Sequence, residues 1–423
     1  MTHRTLFPGP VHQRLAPLIA ASFFGGIALW VPVEKLFLAE LGFTPQTIGI
    51  MAAAYAGVVP LLEIPSGILA DRWSRRGVLL LGNAGVFLSV LVGALSFDVA
   101  SYVVAAVLLG VYLAMQSGTL DSIVYDTVLE ENGDSGAFES LLGRIRTLES
   151  VALVTGALAG GALAAATAPR VTYFATLPFI ALSTVFLVAF REPHLHEAGE
   201  SRSLRQHVAV TFGVLRRDRS LLPVVALMVL SATLMQAVFE FGPLWLVEAD
   251  AGAGAFGPQW AALMASLGLG GALAGRLRSD GAGTVRALGV VVAGAAAVLV
   301  VSHHIAVVTA AQVVVAMVAV ILGIFLTRRL HDAVPSDVRT GVASGVGAAT
   351  WATFLPFSLG FGAVSERWGV HTAGWLLVAI AVAIAGLIVA THRPCPETAV
   401  AEPVALRPAA IRPVAVPCGA VAA

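Results

Sequence analysis

Apolar runs about twenty residues long recur twelve times along this chain, separated by short polar turns. That is the length a helix needs to cross the hydrocarbon of a bilayer. The runs fall roughly at 15–38, 45–70, 77–97, 100–124, 148–168, 171–190, 221–246, 258–276, 284–302, 305–327, 340–364 and 370–391. Only 12% of the 423 residues are charged, against about a quarter in soluble chains, and mean hydropathy is +0.88. A water-facing surface cannot be built from that composition. Alternating strands of a barrel are absent, so helices remain as the way to satisfy backbone polar groups in lipid. The predicted class is an all-α membrane protein with twelve transmembrane helices. The first run is too long for a cleavable leader and has no small-residue cleavage site before Lys35, so it is expected to stay in the mature chain.

Orientation follows from the cations, which insertion retains on the cytoplasmic side. With both termini inside, 22 of the 25 Lys and Arg residues fall inside, and only Lys35, Arg170 and Arg367 fall outside. Adding or removing one span scrambles that alternation. The expected location is the plasma membrane, with both termini cytoplasmic. A formal net charge of zero gives no footing for nucleic acid. Cys395 and Cys418 lie in a Pro-, Ala- and Val-rich tail on the reducing side, so neither a disulfide framework nor a metal site is expected. The predicted organisation is an N-terminal six-helix bundle over 1–190, a cytoplasmic linker over 191–220, a C-terminal six-helix bundle over 221–391 and a flexible tail over 392–423. Within the linker, Ser203 is placed to cap an amphipathic helix along the membrane surface.

Between the second and third runs stands Gly67-Ile68-Leu69-Ala70-Asp71-Arg72-Trp73-Ser74-Arg75-Arg76. This segment resembles the cytoplasmic loop signature of the major facilitator superfamily of secondary transporters, G-x-L-A-D-R-x-G-R-R, with Ser74 where the family usually has glycine. The resemblance implies two pseudo-symmetric six-helix bundles with spans 1, 4, 7 and 10 lining a central cavity. It implies that Asp71 meets the start of span 11, and that Arg75 pairs with an acid at the cytoplasmic end of span 4, either Asp126 or Asp121. Gly67, Asp71, Arg72, Arg75 and Arg76 would then join both halves and hold one side shut. In the second half Gly275 stands where the carboxylate would be, so the two halves are not expected to be equivalent.

Polar residues inside the spans carry the expected chemistry, because a charge there costs about 2.5 to 3.5 kcal/mol on insertion scales. Glu63 and Glu240 are the proton-coupling candidates, and Trp30, Gln116, Gln236 and Glu240 the substrate-pathway candidates. Gln236 and Glu240 share a helix face, with Pro243 just beyond to bend it. His303-His304 reads as a solvated turn, and Gly156, Gly160 and Gly161 as close helix packing. No phosphate-binding loop or catalytic constellation is present, so neither an enzyme nor an ATP-driven pump is expected, and no cofactor is implied.

The reading is a secondary active permease working by alternating access, expected to be a monomer that exports a small amphipathic compound in exchange for protons. An importer of a small nutrient such as a sugar or amino acid is the alternative within transport. A non-transporting membrane sensor is the alternative of another class.

Overall fold

The computed structural model describes residues 10–116, 119–134, 137–193, 221–277, 281–333 and 339–391. The expected linker helix, both cysteines and the tail lie outside the described residues. Before the linker come α1 (Pro10–Gly25), α2 (Glu34–Glu40), α3 (Pro45–Arg72), α4 (Arg75–Leu95), α5 (Val99–Gln116), α6 (Thr119–Asn132), α7 (Phe138–Ala166) and α8 (Pro169–Ala189). After it come α9 (Leu222–Phe241), α10 (Leu244–Glu248), α11 (Phe256–Ala274), α12 (Ala282–Val301), α13 (Ile305–Ala333), α14 (Arg339–Trp368) and α15 (Val370–Thr391). No strand occurs among the described residues. Among the described residues, ten helices are long and apolar enough to cross a membrane.

Two runs expected to be single helices are interrupted. The first, expected over 15–38, stops at Gly25, turns through a short 3-10 segment at Val31–Val33 and resumes as α2. Pro32 has no N–H to give a helix, and Gly25-Gly26 relaxes the backbone just before it. The seventh breaks at Gly242-Pro243 between α9 and α10. At the break the carbonyl of Gly242 accepts the Trp245 N–H at 3.3 Å and also Gln312 Nε2 at 3.0 Å. These breaks occupy the same place in each half, the later part of its first span.

Helix starts are written locally. Thr44 and Thr47 form a reciprocal capping box before α3. Ser74, the departure from the signature, caps α4 by accepting the Gly77 N–H at 2.8 Å and also donates to Glu192. A hydroxyl at this position therefore does what glycine cannot.

Helices α3 and α14 pack together, as do α7 and α11, bringing the residues before the linker against those after it. Among the described residues the contact is tight at one end only. A Cβ on Gly362 would lie 2.7 Å from the Pro45 carbonyl, and one on Gly161 would lie 2.7 Å from Gly257 Cα. Halfway along α3, a Cβ on Gly57 would meet Leu355 at an ordinary 3.6 Å. At the arginine-rich end, Gly67, Gly143 and Gly347 face open space. The two halves thus touch at the end away from Arg72, Arg75 and Arg76 and stand apart at the end that carries them.

Candidate functional site

The gap between the halves is a cavity of about 560 Å³ that reaches from Trp30, Glu34 and Glu240 at the closed end to Leu120, Arg146 and Leu187 toward the arginine-rich face. A recess of about 910 Å³ in the second half adjoins it, and Gln236 and Trp351 border both. The wall from the first half is mostly apolar, with Leu79, Leu109 and Leu113 among its residues, and is interrupted by the polar side chains of Asn83, Gln116 and Glu149. The recess is largely apolar, with Met228, Met235, Ile324 and Val346. Such a space suits a molecule with one polar and one apolar side.

At the closed end the two helix breaks bring together a buried charge cluster. Lys35 is 3% exposed, and its Nζ donates to Glu34 Oε2 and to Glu240 Oε1, each at 2.6 Å. Tyr55 donates to the other Glu240 oxygen at 2.8 Å, and Tyr102 to the other Glu34 oxygen at 2.9 Å. The Tyr102 and Tyr173 hydroxyls are 2.7 Å apart, and Trp30 lies against the Tyr173 ring with centroids 5.3 Å apart. Every carboxylate oxygen therefore has a donor, as burial of a charge requires. Glu240 belongs to the second half, while Lys35 and Tyr55 belong to the first. The cluster is thus a polar tie across the closed end.

All four pathway candidates, Trp30, Gln116, Gln236 and Glu240, border the cavity. Gln236 Oε1 is buried without a hydrogen-bond partner. Glu63 is half-buried on α3 and borders neither cavity, and Ser66 donates to its backbone carbonyl. Spans 1, 4 and 7 line the cavity together with residues of spans 2, 3, 5, 6, 8 and 11, whereas span 10, which the resemblance also placed there, lines only the adjoining recess.

At the arginine-rich face the signature bonds within the first half. Arg75 is ion-paired to Asp126, and its backbone N–H donates to Glu192 Oε1 at 2.6 Å. Arg76 donates to the Phe190 carbonyl at 2.9 Å. Asp121 pairs instead with Arg146 at 2.6 Å, and Arg146 also holds Glu149 at 3.0 Å. Arg72 is exposed and Gly67 faces open space. The side chain of Asp71 lies outside what is described, and with it the expected contact to the start of span 11.

Sequence reasoning did not single out Glu34, Lys35, Tyr55 or Tyr102. Lys35 was counted only as an outside charge, and Glu34 lay unremarked beside it. The available signal was the matched interruption of spans 1 and 7 by Gly25-Gly26 with Pro32 and by Gly242-Pro243, since broken helices at corresponding positions mark transporter binding sites.

The Major Facilitator Superfamily model matches residues 15–344. No curated protein matches the sequence. Among solved structures, the nucleoside transporter NupG aligns with a TM-score of 0.74 at 12% identity, covering 91% of this chain and 100% of that one. A bacterial homologue of the human lysosomal transporter Spinster, inward-facing and occupied, aligns at 0.69 and 13% identity over 92% and 97% of the two chains. A D-xylose–proton symporter aligns at 0.64 and 14% identity over 89% and 96%. At such identities the likeness is one of fold.

Proposed function

The chain belongs to the major facilitator superfamily of transporters, and on that premise we propose that it exports a small amphipathic compound in exchange for protons. The observation that carries this reading is the Glu34–Lys35–Glu240 cluster at the closed end of a mostly apolar cavity that also presents Asn83, Gln116 and Glu149. A carboxylate that both ties the halves together and faces the cavity is where protonation and opening become one event. Glu240 takes the coupling role here. Glu63, outside the cavity lining, is the second candidate. The D-xylose–proton symporter is an example of proton coupling on this fold.

The sidedness belongs to the same proposal. The arginine-rich face is cytoplasmic, both termini lie inside the plasma membrane, and the described state is open to the cytoplasm. In the alternate state Asp71 meets the exposed N–H groups at the start of α14, favoured by the helix dipole. Gly67 permits the close approach, while Arg72, Arg75 and Arg76 with Asp126 hold the loop in position for it. In one-for-one exchange, each unit of pH difference across the membrane is worth about 1.4 kcal/mol, enough for about a tenfold substrate gradient.

The test uses purified protein in sealed liposomes, with a pH-sensitive dye reporting proton movement as pools of amphipathic drugs, sugars and amino acids are added. Substrate-dependent proton flux that disappears in Glu240→Gln is expected, with the substrate moving against the proton. Flux of substrate and proton in the same direction would replace export with nutrient import, a reading that the polar side chains of Asn83, Gln116 and Glu149 in the cavity lining favour. Substrate flux without proton movement would remove the coupling.

A further inference from the structure

We propose that the transported molecule carries one positive charge, and that Lys35 occupies the place of that charge when the cavity is empty. The inference rests on the transport reading above and names the class of its substrate. At the closed end, two carboxylates share a single ammonium, so the cluster of Glu34, Lys35 and Glu240 has a formal charge of −1. An unbalanced charge away from water draws a neutralising partner, either a proton or a cation.

The arrangement is open to such a partner from one side. Glu34 and Glu240 border the cavity and are 14% and 12% exposed, whereas Lys35 lies behind them at 3% and does not border it. A cation entering from the arginine-rich mouth therefore meets the carboxylates before it meets the ammonium. Trp30, Trp260 and Trp351 border the same cavity, and their ring faces attract an organic cation while burying its apolar body. The unpartnered Gln236 Oε1 is a further acceptor for a donor on the ligand.

Competition then couples binding to opening. A cation seated against Glu34 and Glu240 satisfies the oxygens that Lys35 now holds, and Lys35 loses its grip on the second half. The tie across the closed end is broken and the halves can part there. On the far side a proton binds the Glu240 carboxylate, the cation leaves, and on return the proton departs as Lys35 takes the carboxylate back. One monocation moves out for each proton that moves in.

The experiment measures equilibrium binding of labelled tetraphenylphosphonium to the purified full chain in detergent. Tetraphenylborate, of the same shape and opposite charge, is the comparison. Saturable binding of the cation and at least tenfold weaker binding of the anion are expected. Glu34→Gln and Glu240→Gln each weaken cation binding tenfold or more, while Lys35→Met, which removes the internal competitor, tightens it. Equal binding of the two ions, or Glu→Gln variants that elute as folded protein with unchanged affinity, would overturn the proposal. Where a variant does not fold, the wild-type comparison of the two ions decides. Cation binding without proton flux in liposomes would sink the exchange reading and leave the cation assignment standing. Proton flux driven by a neutral or anionic compound, with no phosphonium binding, would do the reverse.

Discussion

A single ammonium, Lys35, holds two carboxylates in the interior of this protein, one from its own helix and one 205 residues away. Two opposing terms set its worth. Desolvation of the ions costs several kcal/mol each, and the short contacts with tyrosine support offset that only while all partners are present. Removing one partner of such a pair typically costs about 3 to 5 kcal/mol, because the remaining charge stays buried. Lys35→Met is therefore expected to lower the thermal unfolding temperature in detergent by several degrees. Adding Glu240→Gln should recover part of that loss, since the two residues act through one interaction. A single variant that melts with the wild type, or a double variant that sums the two single losses, would show that the pair does not hold the closed end.

Within the elements, glycines set how closely the halves approach. A Cβ on Gly257 would lie 2.7 Å from the Ala157 carbonyl and 3.1 Å from Gly161 Cα, both backbone atoms that cannot swing aside. Overpacking of this kind costs about 1 to 3 kcal/mol, and it falls on the state in which these ends touch. Gly257→Val is thus expected to raise the population open at that end by about 5- to 150-fold. The readout is labelling of Met51→Cys, a cavity position, by an impermeant maleimide applied from the face opposite the arginines, with Cys395 and Cys418 replaced by serine. An unchanged labelling rate would mean that α7 and α11 do not form the barrier. The helices themselves were legible in the sequence because apolar length and flanking charge are local properties. The position of Gln116, Gln236 and Glu240 at the cavity was legible because a polar group in an apolar run stands out. The charge cluster was not. Glu34 and Lys35 sit near the end of such a run, where a charge reads as solvated, and only the break before α2 and the distant Glu240 put them inside. Ser74 likewise looked like a departure from a pattern until its cap on α4 gave it a task.

At the scale of the molecule, the described residues meet at one end and gape at the other, one member of the pair of states that alternating access requires. The polar tie through Glu240 favours this state, and the proposed contact of Asp71 with α14 favours the other. Their balance is a coupling free energy that single substitutions should move in opposite directions. Spin labels at Gly143→Cys and Gly275→Cys, positions with room for a side chain near the arginine-rich mouth, report its width. Labels at the exposed Phe97→Cys and Gly252→Cys report the opposite face. Glu240→Gln, which removes the charge that Lys35 holds, is expected to shorten the first distance and lengthen the second together. Adding Asp71→Asn should reverse that shift, by about tenfold in population for each 1.4 kcal/mol that the lock contributes. Two distances that change in the same direction would rule out rocking of the halves about the cavity. A ratio untouched by Asp71→Asn would leave the arginines of the signature as topology signals alone, with the conformational balance carried by the cluster at the closed end.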